Sequence, residues 1–157
     1  MNTHDETILI VDDEKLVRRL LVSTLSGAGY TCLEAGNAGD ALAQLKNRGV
    51  SVVLLDIVMP DKSGIELLNE VMVAYPDIAP IMLSAVSNSD IAITCMKQGA
   101  YDYILKPFNT KEVSLRIEYA NMSPPGYHPD NQSNNNEAAN DAHNDPWIYS
   151  SRWRNRN

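Results

Sequence analysis

Four apolar runs in this chain each end in a side chain that could take part in chemistry. Thr7-Ile8-Leu9-Ile10-Val11 ends in Asp12-Asp13, and Val52-Val53-Leu54-Leu55 ends in Asp56. Ile81-Met82-Leu83 ends in Ser84, and the run from Tyr101 to Leu105 ends in Lys106. If the three carboxylates meet, two unit charges 4 Å apart repel by about 4 kcal/mol at an effective dielectric of 20. Such a cluster raises a pKa, finds a cation, or does both. An all-oxygen set with room for water suits Mg2+, and Lys106 brings a second positive charge. A divalent ion, an ammonium group and a free carboxylate together suit a phosphoryl group. The positive charges neutralise its equatorial oxygens while Asp56 attacks in line and becomes an acyl phosphate. Ser84 offers a small hydroxyl able to donate to a phosphoryl oxygen.

Taken singly, each residue has an ordinary reading. Asp12-Asp13 before a helix suits N-capping, because acids favour that end. Ser84 reads as a loop-start hydroxyl, Lys106 as a surface lysine, and Tyr103 as a strand aromatic packed in the core. The joint placement points elsewhere: an acidic pair, an Asp, a hydroxyl and a Lys fall in order at the ends of four strands.

The elements that position them follow from hydrophobic periodicity. Val52 to Leu55 is an unbroken apolar run, which suits a strand buried on both faces, and Pro60 turns the chain into a loop. Glu14 to Ser26 carries Leu16, Val17, Leu20, Leu21 and Leu25 at helical spacing, with Gly27 and Gly29 as its stop. Tyr30 to Ala35 reads as a strand. Asn37 N-caps a helix from Ala38 to Lys46, closed by Asn47-Arg48-Gly49, with Ala41, Leu42 and Leu45 facing inward. Asp61-Lys62-Ser63-Gly64 reads as loop, then Ile65 to Ala74 as a helix with Leu67, Leu68, Val71 and Met72 on its apolar face. Pro76 and Pro80 bracket a turn. Asn88-Ser89-Asp90 caps a fourth helix to Gln98, stopped by Gly99. Asn109 or Thr110 caps a fifth, running to about Asn121. Five strands alternating with five helices imply right-handed βαβ units. The expected fold is α/β: a five-stranded parallel sheet in the order 2-1-3-4-5 between helical layers, a flavodoxin-like three-layer sandwich. That order sets Asp12-Asp13 beside Asp56 at a crevice between strands one and three.

Composition bounds the rest. A chain of 157 residues allows one domain, placed at residues 1–121, and a tail at 122–157. Pro124-Pro125-Gly126 breaks the last helix, and beyond Asn131 the Asn-, Asp- and Ser-rich composition predicts disorder. Trp147-Ile148-Tyr149 within it could dock, and Arg152, Arg154 and Arg156 read as a solvated end. A net charge of −7 disfavours nucleic acid as a direct partner, because phosphate binding needs a basic face. Cys32 and Cys95 form no CxxC pair and read as small buried hydrophobes. The polar, acidic Met1–Thr7 start is no signal peptide, and no apolar run approaches a membrane span, so a cytoplasmic location is expected.

The stretches Ile8-Leu9-Ile10-Val11-Asp12-Asp13-Glu14, Leu55-Asp56-Ile57-Val58-Met59-Pro60 with Gly64, Leu83-Ser84-Ala85 and Gly99-Ala100-Tyr101-Asp102-Tyr103-Ile104-Leu105-Lys106-Pro107-Phe108 resemble the receiver domain of two-component response regulators. The resemblance covers about residues 6–120. It implies that Asp56 is the phosphoacceptor, Asp13 a direct Mg2+ ligand, Asp12 a ligand through water, and the Val58 carbonyl a further ligand. Lys106 would pair with the phosphate, and Ser84 and Tyr103 would form a hydroxyl–aromatic switch acting on the face of helix four, strand five and helix five. The implied partner is a sensor histidine kinase or His-containing phosphotransfer protein, with that face a candidate for homodimer contact. His4, His128 and His143 fall outside the strand–helix pattern, so none reads as a donor. The chain would modify itself rather than turn over a metabolite. Two rival readings are an interaction module independent of phosphorylation and an aspartyl-phosphate Mg2+-dependent phosphohydrolase. The second is disfavoured by Val58, which stands where a second acid is expected. Val58 and Val86 cannot orient a hydrolytic water, so slow self-dephosphorylation is expected. Helix four, with Ile91, Ala92, Ile93, Cys95 and Met96, is apolar on more than one side, so part of it is expected in the core and the remainder as a partner surface.

Overall fold

The computed structural model describes residues 5–46 and 49–127. Its apolar runs form five strands: β1 Thr7–Val11, β2 Thr31–Ala35, β3 Val50–Leu55, β4 Ala79–Ser84 and β5 Asp102–Leu105. The intervening helices are α1 Lys15–Gly27, α2 Ala38–Leu45, α3 Gly64–Ala74, α4 Ser89–Lys97 and α5 Thr110–Met122. All neighbouring strands pair in parallel, in the order β2-β1-β3-β4-β5.

Alternation along the strands sends side chains into two cores. Leu9, Val11, Val53, Leu55 and Met82 pack with Ala41 and Leu45 of α2, Leu67, Leu68 and Val71 of α3, and Cys95 of α4. Ile8, Ile10, Val52, Leu54, Ile81 and Leu83 pack with Leu21 and Leu25 of α1 and Val113, Ile117 and Ala120 of α5. Burying both faces is why the strands read as continuous apolar runs. The result is the flavodoxin-like three-layer arrangement.

Helix starts follow the expected capping chemistry. The Asn37, Asn88 and Asn109 side chains accept backbone N–H groups of Asp40, of Asp90 and Ile91, and of Lys111. Each such cap stabilises by about 1 kcal/mol. Ser63, which read as loop, is the cap of α3 and accepts from the Glu66 N–H at 3.3 Å.

Three local expectations differ from the structure. Gly27 is the last helical residue of α1, and the stop is Gly29, whose φ of 100° favours glycine. Pro80 lies inside β4 opposite Val53, while its carbonyl accepts the Tyr101 N–H at 2.7 Å. A proline near a strand start gives up only one ladder donor, so it does not force a turn. Leu16 and Leu20 lie about 100° around α1 from the Val17–Leu21–Leu25 stripe and are 79% and 49% exposed.

Beyond Met122 the chain turns at Ser123–Tyr127, with the Tyr127 N–H donating to the Pro124 carbonyl at 3.0 Å. Asn47 and Arg48, His4, His128, His143, and the tail with Trp147, Trp153 and its three arginines lie outside the described residues. No helix among the described residues is long and apolar enough to cross a membrane.

Candidate functional site

The buried polar residues among those described are Asp12, Asp56 and Ser84. All three sit at the carboxyl ends of strands, where side chains from β1, β3 and β4 reach the crevice that the strand order opens. The backbone fixes their starting points. The Asp12 N–H donates to the Ala35 carbonyl at 3.1 Å, the Asp56 N–H to the Val11 carbonyl at 3.0 Å, and the Lys106 N–H to the Ser84 carbonyl at 2.9 Å.

Lys106 lies between the acids rather than across the crevice from them. Its Nζ donates to Asp12 Oδ2 at 2.6 Å and to Asp56 Oδ2 at 3.2 Å, and comes within 3.6 Å of Glu14 Oε1. Asp12 Oδ1 accepts the Glu14 N–H at 2.9 Å. Burial pushes the Asp12 carboxyl above the ordinary carboxylate range, partly opposed by the bonds from Lys106 and Glu14. For Lys106, burial works against the charge, but the hydrogen bond and charge of Asp12 and the charge of Asp56 outweigh it, so its pKa rises. The ammonium therefore stays charged.

One carboxylate oxygen from each of Asp12, Asp13 and Asp56 lies within 4.8 Å of the others. Asp12 and Asp56 are buried and Asp13 is exposed. Three carboxylates face one ammonium group, so Lys106 leaves the cluster with excess negative charge. Hard oxygen donors with one exposed side fit a divalent ion that keeps part of its water shell. The cluster can hold a metal ion.

Ser84 Oγ accepts the Val86 N–H at 3.3 Å and, among the described residues, makes no hydrogen bond to Asp12, Asp56 or Lys106. The Tyr103 hydroxyl donates to the Val86 carbonyl at 2.5 Å, tying β5 to the segment that leads into α4. Burial raises the Tyr103 pKa, with the Ser84 hydroxyl pulling back, so the phenol stays protonated. Val58 is 65% exposed at the rim.

Two residues matter here for reasons that the sequence alone did not disclose. A Cβ on Gly64 would lie 1.9 Å from the Asp56 carbonyl oxygen and 2.8 Å from Ile57 Cα. The absence of a side chain lets the first turn of α3 close on the Asp56–Ile57 peptide, where the Gly64 N–H donates to the Ile57 carbonyl at 2.8 Å. Arg18, on α1, donates from Nη1 to the Asp12 carbonyl at 2.7 Å. A backbone contact of either kind has no signature in residue type.

Residues 8–118 match the response regulator receiver domain family, and the chain belongs to that family. It is 42% identical over 115 residues to the phosphate regulon transcriptional regulatory protein PhoB of Pseudomonas aeruginosa, which covers 72% of this chain and 50% of that protein. It is 36% identical over 113 residues to the DNA-binding transcriptional regulator NtrC of Salmonella typhimurium, covering 72% and 24%. The chain thus spans a quarter to a half of these relatives' lengths. The crystal structure of a CheY-like receiver domain protein from Methanospirillum hungatei superposes with a TM-score of 0.69 at 31% identity, covering 72% of this chain and 90% of that one.

Proposed function

We propose that this receiver accepts a phosphoryl group on Asp56 from a sensor histidine kinase or a His-containing phosphotransfer protein. The observation that carries the reading is Lys106 bridging Asp12 and Asp56 through their Oδ2 atoms. Among the described residues no hydrogen bond engages Asp56 Oδ1, so a lone pair on that oxygen is open to attack phosphorus. The new bond is O–P and the bond broken is the donor's N–P bond, whose electron pair returns to the imidazole. Lys106 then donates to a phosphoryl oxygen in place of the Asp56 oxygen it held. Ser84 donates its hydroxyl to another.

Asp12, Asp13, Asp56 and the Val58 carbonyl would hold Mg2+, which when bound offsets the negative charge of the incoming group. Asp13 would ligate directly, and buried Asp12, already engaged by Lys106, would act through water. On this reading the chain modifies itself, releases the dephosphorylated donor and turns over no separate metabolite.

The switch we assign to Ser84 and Tyr103. Drawing the Ser84 hydroxyl toward a phosphoryl oxygen takes it from the Val86 N–H, in the segment that the Tyr103 hydroxyl also holds. The face of α4, β5 and α5 then repacks. That face carries exposed Ile93, Leu105, Leu115 and Tyr119, a surface suited to a partner or a second copy. Moving it from mostly off to mostly on takes about 5 kcal/mol of differential stabilisation, within reach of several charge-assisted hydrogen bonds. The receiver unit, placed at residues 1–121 from the sequence, we extend to Tyr127, because α5 runs to Met122 and Ser123 and Tyr127 pack on Tyr101.

A small phosphodonor with Mg2+, followed by intact mass, tests the reading. Wild type gains one phosphoryl group and Asp56→Asn gains none; labelling that survives in Asp56→Asn overturns it. Val58 and Val86 offer an attacking water no side-chain hydrogen bond, so the acyl phosphate is long-lived. Val58→Asn or Val86→Glu shortens its lifetime in the same assay.

A further inference from the structure

We infer that Arg18 is a positioning residue for the metal cluster, holding Asp13 in place through the Asp12–Asp13 peptide. The inference rests on the reading of Asp12, Asp13 and Asp56 as a Mg2+ site. Asp12 is fixed through its side chain by Lys106 and by the Glu14 N–H. Asp13 is not: among the described residues its exposed carboxylate makes no hydrogen bond or ion pair. Its placement therefore depends on the peptide plane that precedes it.

That plane ends in the Asp12 carbonyl, at the point where the sheet runs out of partners. The β1–β2 ladder reaches the Asp12 N–H to Ala35 carbonyl bond, and β2 stops at Ala35. Gly36 then leads the chain away to the Asn37 cap of α2. No further strand N–H reaches the Asp12 carbonyl, and the Arg18 guanidinium supplies the donor at 2.7 Å. A charged donor makes a hydrogen bond roughly twice as strong as a neutral one.

The guanidinium is itself aimed. Its Nε donates to Glu34 Oε1 at 3.3 Å, from the neighbouring strand, and its side chain is only 18% exposed. It packs against Gly36, where a Cβ would come 3.3 Å from Nη1 and 3.8 Å from Cζ. Two separate N–H groups of one rigid fork serve two acceptors, which a lysine cannot reproduce. Mutating groups that orient metal ligands from outside the coordination sphere typically changes metal affinity by about 10–100-fold.

The sign of the effect separates this role from simple electrostatics. Removing a cation beside an acidic cluster, by Coulomb's law alone, tightens binding of a second cation. A positioning role predicts the reverse. In a Mg2+ titration of the full 157-residue chain followed by backbone amide NMR, Arg18→Ala raises the apparent Kd about tenfold. Arg18→Lys, with the charge kept, weakens it too, while Glu34→Gln stays within twofold of wild type. Gly36→Ala, which crowds the guanidinium without removing it, weakens binding by less than Arg18→Ala. If Arg18→Ala does not fold, Arg18→Lys and Gly36→Ala carry the test. Unchanged or tighter Mg2+ binding in the arginine variants overturns the positioning role and leaves the site standing. A wild-type chain whose Asp12, Asp13 and Asp56 amides do not respond to Mg2+ overturns the site itself, and this inference with it.

Discussion

The two ends of the sheet are built from opposite kinds of chemistry. At the carboxyl end, charged side chains are buried together: Asp12, Asp56 and the Lys106 between them. At the amino end the polar contacts centre on neutral hydroxyls, with a half-exposed Arg116–Asp102 ion pair beside them. The Tyr101 hydroxyl shares a 2.9 Å hydrogen bond with Ser123 Oγ, its ring lies 6.1 Å from that of Tyr127, and Ser123 donates on to the Tyr119 carbonyl. Burial raises the pKa values of both Tyr30 and Tyr101, so these phenols stay protonated across the physiological range. One end closes the fold chiefly with hydroxyls that keep their protons. The other keeps a surplus of negative charge, where a cation or a new anionic group changes the balance. The comparison separates stability from responsiveness, and substitutions at each end probe it.

The largest effect is expected at Gly64, where backbone closure and the carboxyl end meet. Gly64→Ala forces the new Cβ against the Asp56 carbonyl, so α3 or the Asp56 backbone has to move. A loss of about 3 kcal/mol is expected, read as a melting temperature lowered by roughly 10 °C, together with loss of phosphorylation at Asp56. A variant as stable and as readily labelled as wild type shows that the contact is not enforced in solution.

Next comes the pH response of the metal-free protein. Because burial raises the Asp12 pKa, the folded chain holds that proton more tightly than the unfolded chain does. The corresponding stability is fully present below the ordinary carboxylate value of 3.8 and is lost as pH rises through the folded value. Asp12→Asn removes this limb. Without metal it melts a few degrees higher than wild type at neutral pH, and it binds Mg2+ more weakly. Urea titrations at several pH values without Mg2+ check the sign.

The smallest effect belongs to the amino end. Tyr101→Phe deletes the bond to Ser123 at about 1 kcal/mol, with no change in phosphorylation rate or Mg2+ affinity. A changed rate would join the two ends that the comparison holds apart.

Much of this arrangement was legible in the residues. Continuous apolar runs marked the strands, alternation with helices gave their order, and that order alone brought the ends of β1 and β3 together. Asn37, Asn88 and Asn109 announced three helix starts because a cap is a local interaction. What escaped was long-range or backbone-borne. The position of Lys106 between Asp12 and Asp56 depends on how a long flexible side chain folds back across the crevice. The closeness of Gly64 to the Asp56 carbonyl and of Arg18 to the Asp12 carbonyl involves main-chain atoms that every residue carries. The exposure of Leu16 and Leu20 shows the same limit: apolar residues at helical spacing define a broad stripe, and only packing decides which part of it is covered.

The turn at Ser123–Tyr127 has a geometric consequence. It is pinned at Tyr101, below the start of β5, whereas Asp56 stands above the end of β3. A strand of six residues such as β3 is about 20 Å long. The Ser123–Tyr127 turn therefore lies at the domain's floor while the Asp56 carboxylate sits at its roof. On the proposed reading, a group carried on Asp56 acts on that turn only through the tilt of α5 and the strand beside it, as a lever passes on a push.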